Sequence, residues 1–261
     1  MENIISFVDY ADDKFGRKNG QYKKVQEKRS ELLYRSGVFH RILNWDWEQL
    51  VESSFPKIPR SHVWNGFSFK PLIILDSLSK IPNDSFLLYH DCSPQNTPDY
   101  KTGPLFMKSY DSILPFLSNL DYGIDFLCPL LNYSSRHYTK RDCFKIMGCN
   151  NSKYMNSFQI CASWILIKNT HEIVRFVKEW LYFNLNTDVA SYKPSLHSKD
   201  FKDYKQNRGD QPIINNLMIK YEKKCCYIKD PFLAETKDFS HYLQASEDKN
   251  LGFSLIPDIK V

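Results

Sequence analysis

The chain has 261 residues, 42% hydrophobic and 15% aromatic, and a formal net charge of +5. That is enough apolar material for one large α/β domain or two small ones, which excludes a disordered chain. No run of about 18 consecutive apolar residues suggests a membrane-spanning helix, and MENIISFVDYADDKFGRKNG soon turns polar, so no secretory signal is expected and the cytoplasm is the expected compartment.

In chain order, NIISFVDY (3–10) reads as a first strand, followed by a basic, helical stretch to about Gly37. Within it Lys14, Arg17, Lys18, Lys23, Lys24, Lys28 and Arg29 crowd into sixteen positions. Such a run is either a solvated helix face or a surface for the phosphates of a nucleotide, a lipid headgroup or a membrane. The segment FSFKPLIILDSLSKI (67–81) spaces Leu72, Leu75 and Leu78, with Ile74 and Ile81, by three and four, which predicts an amphipathic helix. PND breaks it, and FLLY (86–89) is a strand that runs into His90, Asp91, Cys92 and Ser93. After the Pro/Gly-rich region 94–104 come a helix through Tyr110, Ile113, Leu114 and Leu117, a strand GIDFLCPLL (123–131) and a short helix KRDCFKIM (140–147). QICASWILIK (159–168) reads as one buried strand and THEIVRFVKEWLYFNL (170–185) as a helix capped by Thr170. A helix near 211–222 and a strand CCYIKD (225–230) complete the pattern.

Strands alternating with helices predict an α/β fold with a mostly parallel central sheet flanked by helices on both faces. Neither repeats nor low-complexity segments divide the chain, so one domain over 1–261 is the simpler count. The seven cysteines are odd in number and lack C-x-x-C spacing, which argues for packed, reduced thiols over a disulfide framework or a zinc ribbon. No G-x-G-x-x-G, P-loop, G-x-S-x-G or H-E-x-x-H motif is present, which speaks against dinucleotide oxidoreductases, P-loop ATPases, α/β hydrolases and zinc proteases. Ligands of such sheets bind beyond the carboxyl ends of the strands, where Asp91 falls. A carboxylate there can hold a hard divalent cation, with Lys or Arg assisting on phosphate, or it can simply close a turn.

Three blocks carry a family resemblance. WNGFSFKPLIILDSLSKIPNDSFLLYHDCS (64–93) resembles the Gly-Tyr-Trp-x-Trp-Lys-Pro, helix, strand, Tyr-x-Asp-x-Gly signature of bacterial and viral sugar-transfer enzymes with the GT-A glycosyltransferase fold. The segment 138–183, opening YTKRDCFKIM, resembles their Tyr-Thr-Lys-Arg-Asp block, with its Gln-bearing strand and a helix ending in Glu-Trp-Leu. NRGDQPIINNLMIKY (207–221) resembles their His-Arg-His-Asp-Gln-Ser block. The blocks keep the family's order and cover about 90 positions between 64 and 221. Phe67 and Phe69 stand where Tyr and Trp are usual, and Ser93 replaces the second Asp of an Asp-x-Asp-like motif.

The resemblance implies a glycosyltransferase that moves a monosaccharide from a nucleotide-diphosphate sugar to a glycan or lipid-linked glycan, such as capsule or lipooligosaccharide. It implies a nucleotide-sugar-binding half of about 1–93 and an acceptor-binding half of 94–261, peripheral association with the inner face of a membrane, and no nucleic acid. Mn²⁺ or Mg²⁺ is expected at Asp91, with Ser93 and either Asp210 or His241 as further ligands. The base and ribose are expected over the N-terminal strands, where Asp9 would meet the nucleoside or make a turn. Lys70, just before Pro71, would reach the diphosphate or stand exposed at its helix start. Lys140 and Arg141 would contact diphosphate and Asp142 a sugar hydroxyl, unless the triplet is an ion-pair network. Gln159 needs a partner for its amide, and sugar hydroxyls would serve. Asp210 and Gln211 are the expected catalytic pair: Asp210 is either the base for an acceptor hydroxyl or a donor-facing group, or it only caps its helix. Trp164 and Trp180 are expected in the core. The rival classes are a catalytically inactive glycan- or nucleotide-binding relative and a nucleic-acid binder using the basic 14–29 segment. The low net charge speaks against the second.

Overall fold

The computed structural model of the protein describes residues 4–13, 22–53, 66–92, 125–128 and 130–222. The expected helix through Tyr110 to Leu117 and the expected strand 225–230 lie outside these residues, as do Lys14, Arg17, Lys18, Ser93 and His241.

Strand β1 (Ile5–Tyr10) is buried at every position because the sheet is covered on both faces. Helix α1 (Tyr22–Ser36) turns Val25, Gln26, Arg29 and Leu33 inward, and Gln26 and Arg29 reach Asp9 of β1. The alternate residues Val8 and Tyr10 join the main core with Leu72, Ile73 and Leu78 of α3 (Phe69–Lys80). The fold is therefore α/β, with a five-stranded central sheet in the order β2 (Arg41–Trp45), β1, β3 (Phe86–His90), β7 (Trp164–Lys168), β4 (Phe126–Leu127). β1 pairs parallel with β2 and β3, whereas β7 is antiparallel to both β3 and β4. Four of the five strands thus run one way, and the expected mostly parallel sheet holds with one reversed strand inside it.

Helix α7 (His171–Asn184) starts where expected, its first turn capped by the Thr170 hydroxyl accepting from Ile173 N–H at 3.2 Å. It buries Ile173, Phe176, Val177 and Trp180 in the core that also holds α3 and α9 (Gln211–Lys220). Asn169 donates to the carbonyls of Leu78, Ile81 and Pro82, which satisfies the C-terminal end of α3 just before β3 begins. The shorter helices are α2 (Trp47–Glu52), α4 (Ser135–Tyr138), α5 (Arg141–Ile146), α6 (Ser152–Met155) and α8 (Thr187–Ala190).

Two expected strands divide. The apolar run 159–168 splits at Cys161–Ser163 into β6 (Phe158–Ile160), which pairs with β5 (Leu130–Ser134) in a separate two-stranded sheet, and β7 of the main sheet. A continuous hydrophobic run does not reveal a turn made of small residues, here Cys-Ala-Ser. Likewise the described part of 123–131 separates into β4 and β5, and the sequence there holds a proline, which has no N–H for a ladder. β2, half-buried at the sheet edge, has no clear sequence pattern and went unread. The basic run is not one solvated face, because Arg29 is fully buried. The five described cysteines are free thiols. No helix among the described residues is long and apolar enough to cross a membrane.

Candidate functional site

Three chain segments far apart in sequence meet at one ammonium group. Lys70 sits in the first turn of α3, Asp91 follows β3, and Asp210 immediately precedes α9. Lys70 Nζ lies 3.0 Å from Asp91 Oδ1 and 3.0 Å from Asp210 Oδ2, and donates to the Ala162 carbonyl at 3.1 Å. That carbonyl is available because 161–163 is a turn and not the middle of a strand. The side chains of Lys70 and Asp210 are each 3% exposed, while that of Asp91 is 27% exposed, so Asp91 forms the open side of the group. Phe67 and Tyr89 flank the ammonium with ring centroids 4.8 and 5.5 Å away, and the Tyr89 hydroxyl donates to Asp91 Oδ1.

Two carboxylates against one ammonium leave the cluster with one net negative charge, and its proton affinities follow from that. Burial pushes the Asp210 carboxyl up to about 6; Lys70 pulls it down and the nearby Asp91 charge pushes it further up. Burial alone would lower the Lys70 pKa, but the Asp210 and Asp91 charges outweigh it and hold the ammonium above its ordinary value. Burial first, and then Asp91, raises the Tyr89 hydroxyl well above its usual range.

These positions correct part of the sequence reading. Lys70 is not an exposed helix-start lysine: its ammonium is buried and meets two carboxylates and a carbonyl. The Asp210 side chain makes no capping bond to α9 and faces Lys70 instead. Gln211, next to it, donates its amide to Gln159 Oε1, and Gln159 donates to Thr139 Oγ1 at 2.8 Å. The buried Gln159 amide is thus satisfied within the protein.

The Lys140-Arg141-Asp142 triplet lies in a different hydrogen-bond network. Lys140 Nζ donates to the Thr187 carbonyl and the Ser191 hydroxyl at 3.2 and 2.9 Å. Asp142 accepts from the backbone N–H groups of Leu196 and His197, and the Arg141 N–H donates to Asp200. Burial lowers the Lys140 pKa. For Asp142, burial pushes upward, but the His197 N–H, the Ser198 hydroxyl and the Leu196 N–H hold the carboxyl below its ordinary range. Both charged ends are thus engaged by segment 187–200.

Asp9 makes no turn. It is fully buried on the α1 side of the sheet, accepting from Gln26 at 2.7 Å and facing Arg29 at 3.5 Å. Burial pushes its carboxyl up to about 6, against the downward pull of Arg29 and the Gln26 hydrogen bond. Arg29 also donates to the Asp91 carbonyl at 3.2 Å, which ties α1 to the end of β3.

The sequence reading missed Tyr192. Its ring meets Phe67 edge-on with centroids 6.1 Å apart, and it is 44% exposed beside the Lys70 cluster. Burial, then Asp210, pushes its hydroxyl up to about 12. Phe67 and Gly209 both have left-handed backbones, with φ of 53° and 62°. A Cβ on Gly209 would sit 3.1 Å from Phe67 Cδ2, so glycine there serves both the conformation and the close approach. A lone tyrosine in a polar stretch gives no sequence signal; the left-handed Phe67 is the structural one.

No three His, Cys, Asp or Glu side chains among the described residues converge; Asp91 and Asp210 meet at Lys70, and Oδ1 of Asp91 also accepts from Tyr89. Ser93 and His241, the other expected ligands, are not among the described residues.

No protein-family model matches the chain significantly, and no curated protein sequence does. Among solved structures, the chain is similar to a glycosyltransferase involved in the glycosylation of the major capsid of PBCV-1, at 13% identity and a TM-score of 0.37, with 69% of this chain and 66% of that one covered. It is also similar to 4-diphosphocytidyl-2C-methyl-D-erythritolsynthase from Anaerococcus prevotii DSM 20548, at 12% identity and a TM-score of 0.35, covering 84% of this chain and 99% of that one. The chain therefore spans slightly less than two thirds of the capsid glycosyltransferase. At these scores neither likeness is carried over to the chemistry of the site.

Proposed function

We propose that the chain is a glycosyltransferase of the GT-A type, moving a monosaccharide from a nucleotide-diphosphate sugar to a hydroxyl of a surface glycan such as capsule or lipooligosaccharide. The observation that carries this reading is Asp210: a buried carboxyl near 6, on the same ammonium as the strand-end Asp91. A base of that strength is largely ionised at neutral pH and still takes up a proton readily, as abstraction from an acceptor hydroxyl requires.

In the proposed step the acceptor oxygen bonds to the anomeric carbon and its proton passes to Asp210. The bond from that carbon to the diphosphate breaks, and the electron pair leaves with the phosphate oxygen. Protonated Asp210 no longer competes for Lys70, so the ammonium is released toward the departing diphosphate as negative charge develops there. Lys70 thus couples base to leaving group instead of binding the donor from the start. Asp91, the open member, faces the donor side. Mn²⁺ or Mg²⁺, if bound, would be held by Asp91 and would neutralise diphosphate charge; the base step does not depend on it.

The test is incubation with UDP-, GDP-, CDP- and TDP-sugars, with and without Mn²⁺, using wild type and Asp210→Asn. Release of nucleotide from at least one donor by wild type, lowered at least about 100-fold in the variant, is the expected result. No turnover of any donor, or full turnover by Asp210→Asn, would overturn the proposal.

A further inference from the structure

Segment 191–200 runs between α8 and α9 without regular secondary structure, yet it is held from below by named bonds. Besides the bonds from Lys140 and Asp142, Asn207 donates to the carbonyls of Val189 and Ser191 at 3.1 and 2.9 Å. Asp200 accepts from the N–H groups of Arg141 and Ser195 at 2.7 and 2.9 Å. Lys140 and Asn207 are buried. Burial disfavours the Lys140 charge, against the pull of Asp142, Asp188 and Asp200, and its two bonds fix the start of the segment. Near its start it presents Tyr192.

Tyr192 ends a row of four rings. Tyr10 stacks on Phe69 with centroids 4.3 Å apart, Phe69 meets Phe67 edge-on at 6.2 Å, and Phe67 meets Tyr192 edge-on at 6.1 Å. Tyr10 and Phe69 are core residues, whereas Tyr192 is open to solvent. Its hydroxyl oxygen lies 3.6 Å from where a Cβ of Gly209 would be, next to Asp210 in sequence. A half-exposed tyrosine beside a buried carboxylate, on a segment anchored by these bonds, is a surface built to receive something.

We propose that Tyr192 is the platform for the acceptor: the C–H face of a pyranose ring lies on it while a hydroxyl of that ring reaches Asp210. This rests on the glycosyltransferase reading and names the acceptor side of the same site. A pyranose has an apolar face and a polar rim, which matches an aromatic ring with a carboxylate at its edge. The other planar ligand is the nucleobase of the donor, and the donor arm of the test separates it from the pyranose.

The test is saturation-transfer NMR of wild type, Tyr192→Phe and Tyr192→Ala with methyl α-glucopyranoside, methyl β-galactopyranoside and methyl α-mannopyranoside, alongside thermal shifts with the UDP-, GDP-, CDP- and TDP-sugars. Wild type and Tyr192→Phe are expected to saturate the ring protons of at least one glycoside, with about fivefold weaker transfer in Tyr192→Ala and an unchanged donor thermal shift. Transfer that is absent in wild type, or equal in Tyr192→Ala, overturns the platform. Loss of the donor shift in Tyr192→Ala with glycoside binding intact assigns the ring to the donor and also overturns it. Glycoside binding through Tyr192 with no response to any donor keeps the platform while rejecting the glycosyltransferase reading.

Discussion

Two buried charge clusters lie on opposite faces of the sheet, and their arithmetic differs. On the α1 side one carboxylate, Asp9, meets one guanidinium, Arg29, and one amide, Gln26. On the α3 side two carboxylates, Asp91 and Asp210, share one ammonium, Lys70. Burial lifts Asp9 and Asp210 alike to about 6, so the raised carboxyl by itself does not mark a site. The unbalanced charge and the partly open Asp91 set the second cluster apart. A charge-matched buried pair leaves no net charge inside, whereas an excess carboxylate is destabilising where it stands.

The largest expected effect separates the clusters by activity. Asp210→Asn is expected to lower donor turnover by about 10²- to 10⁴-fold while the melting temperature at pH 7.5, read by calorimetry, stays level or rises, because the substitution removes the excess charge. Asp9→Asn is expected to leave turnover per folded molecule intact, because its carboxylate faces Arg29 and Gln26 inside the protein. A loss of turnover in Asp9→Asn as large as that in Asp210→Asn would erase the distinction.

A smaller effect appears with pH. Both carboxyls hold a proton in the folded protein up to about 6, but near 3.8 when unexposed to those surroundings. The stability from their protonated forms is therefore complete below about 3.8 and lost as pH rises through 6, on the order of 3 kcal/mol for each. Asp210→Asn should flatten part of that decline in calorimetry between these pH values, and a parallel curve for wild type and variant would contradict the assignment. Gly209→Ala is expected to lower stability by about 1 to 2 kcal/mol, since alanine disfavours the left-handed backbone and its Cβ presses on Phe67. It should also weaken glycoside binding at Tyr192 more than donor binding.

Much of the frame could be read from the sequence because burial and periodicity are local. β1, β3, α3 and α7 follow from apolar runs and spacings, and the Thr170 cap from a single residue in the right place. The reversal of β7 could not be read, because a buried strand has the same composition in either direction. Lys70, Asp91 and Asp210 each stood out singly, but the 140 positions from the first to the last hide that one ammonium joins all three. Lys140 and Asp142 stood out by charge, yet they anchor backbone. Tyr192 had no signal, because its neighbours are brought from residues 67 and 209.

The central claim is that Asp210, poised by Lys70, takes the acceptor proton. The pH dependence of kcat/KM tests it most directly, in wild type and in Lys70→Met, with a donor that turns over. The account predicts an acid limb breaking near 6 in wild type and at higher pH in Lys70→Met, where the downward pull of the ammonium is gone. A limb in the ordinary carboxylate range, or one that Lys70→Met leaves in place, would contradict it.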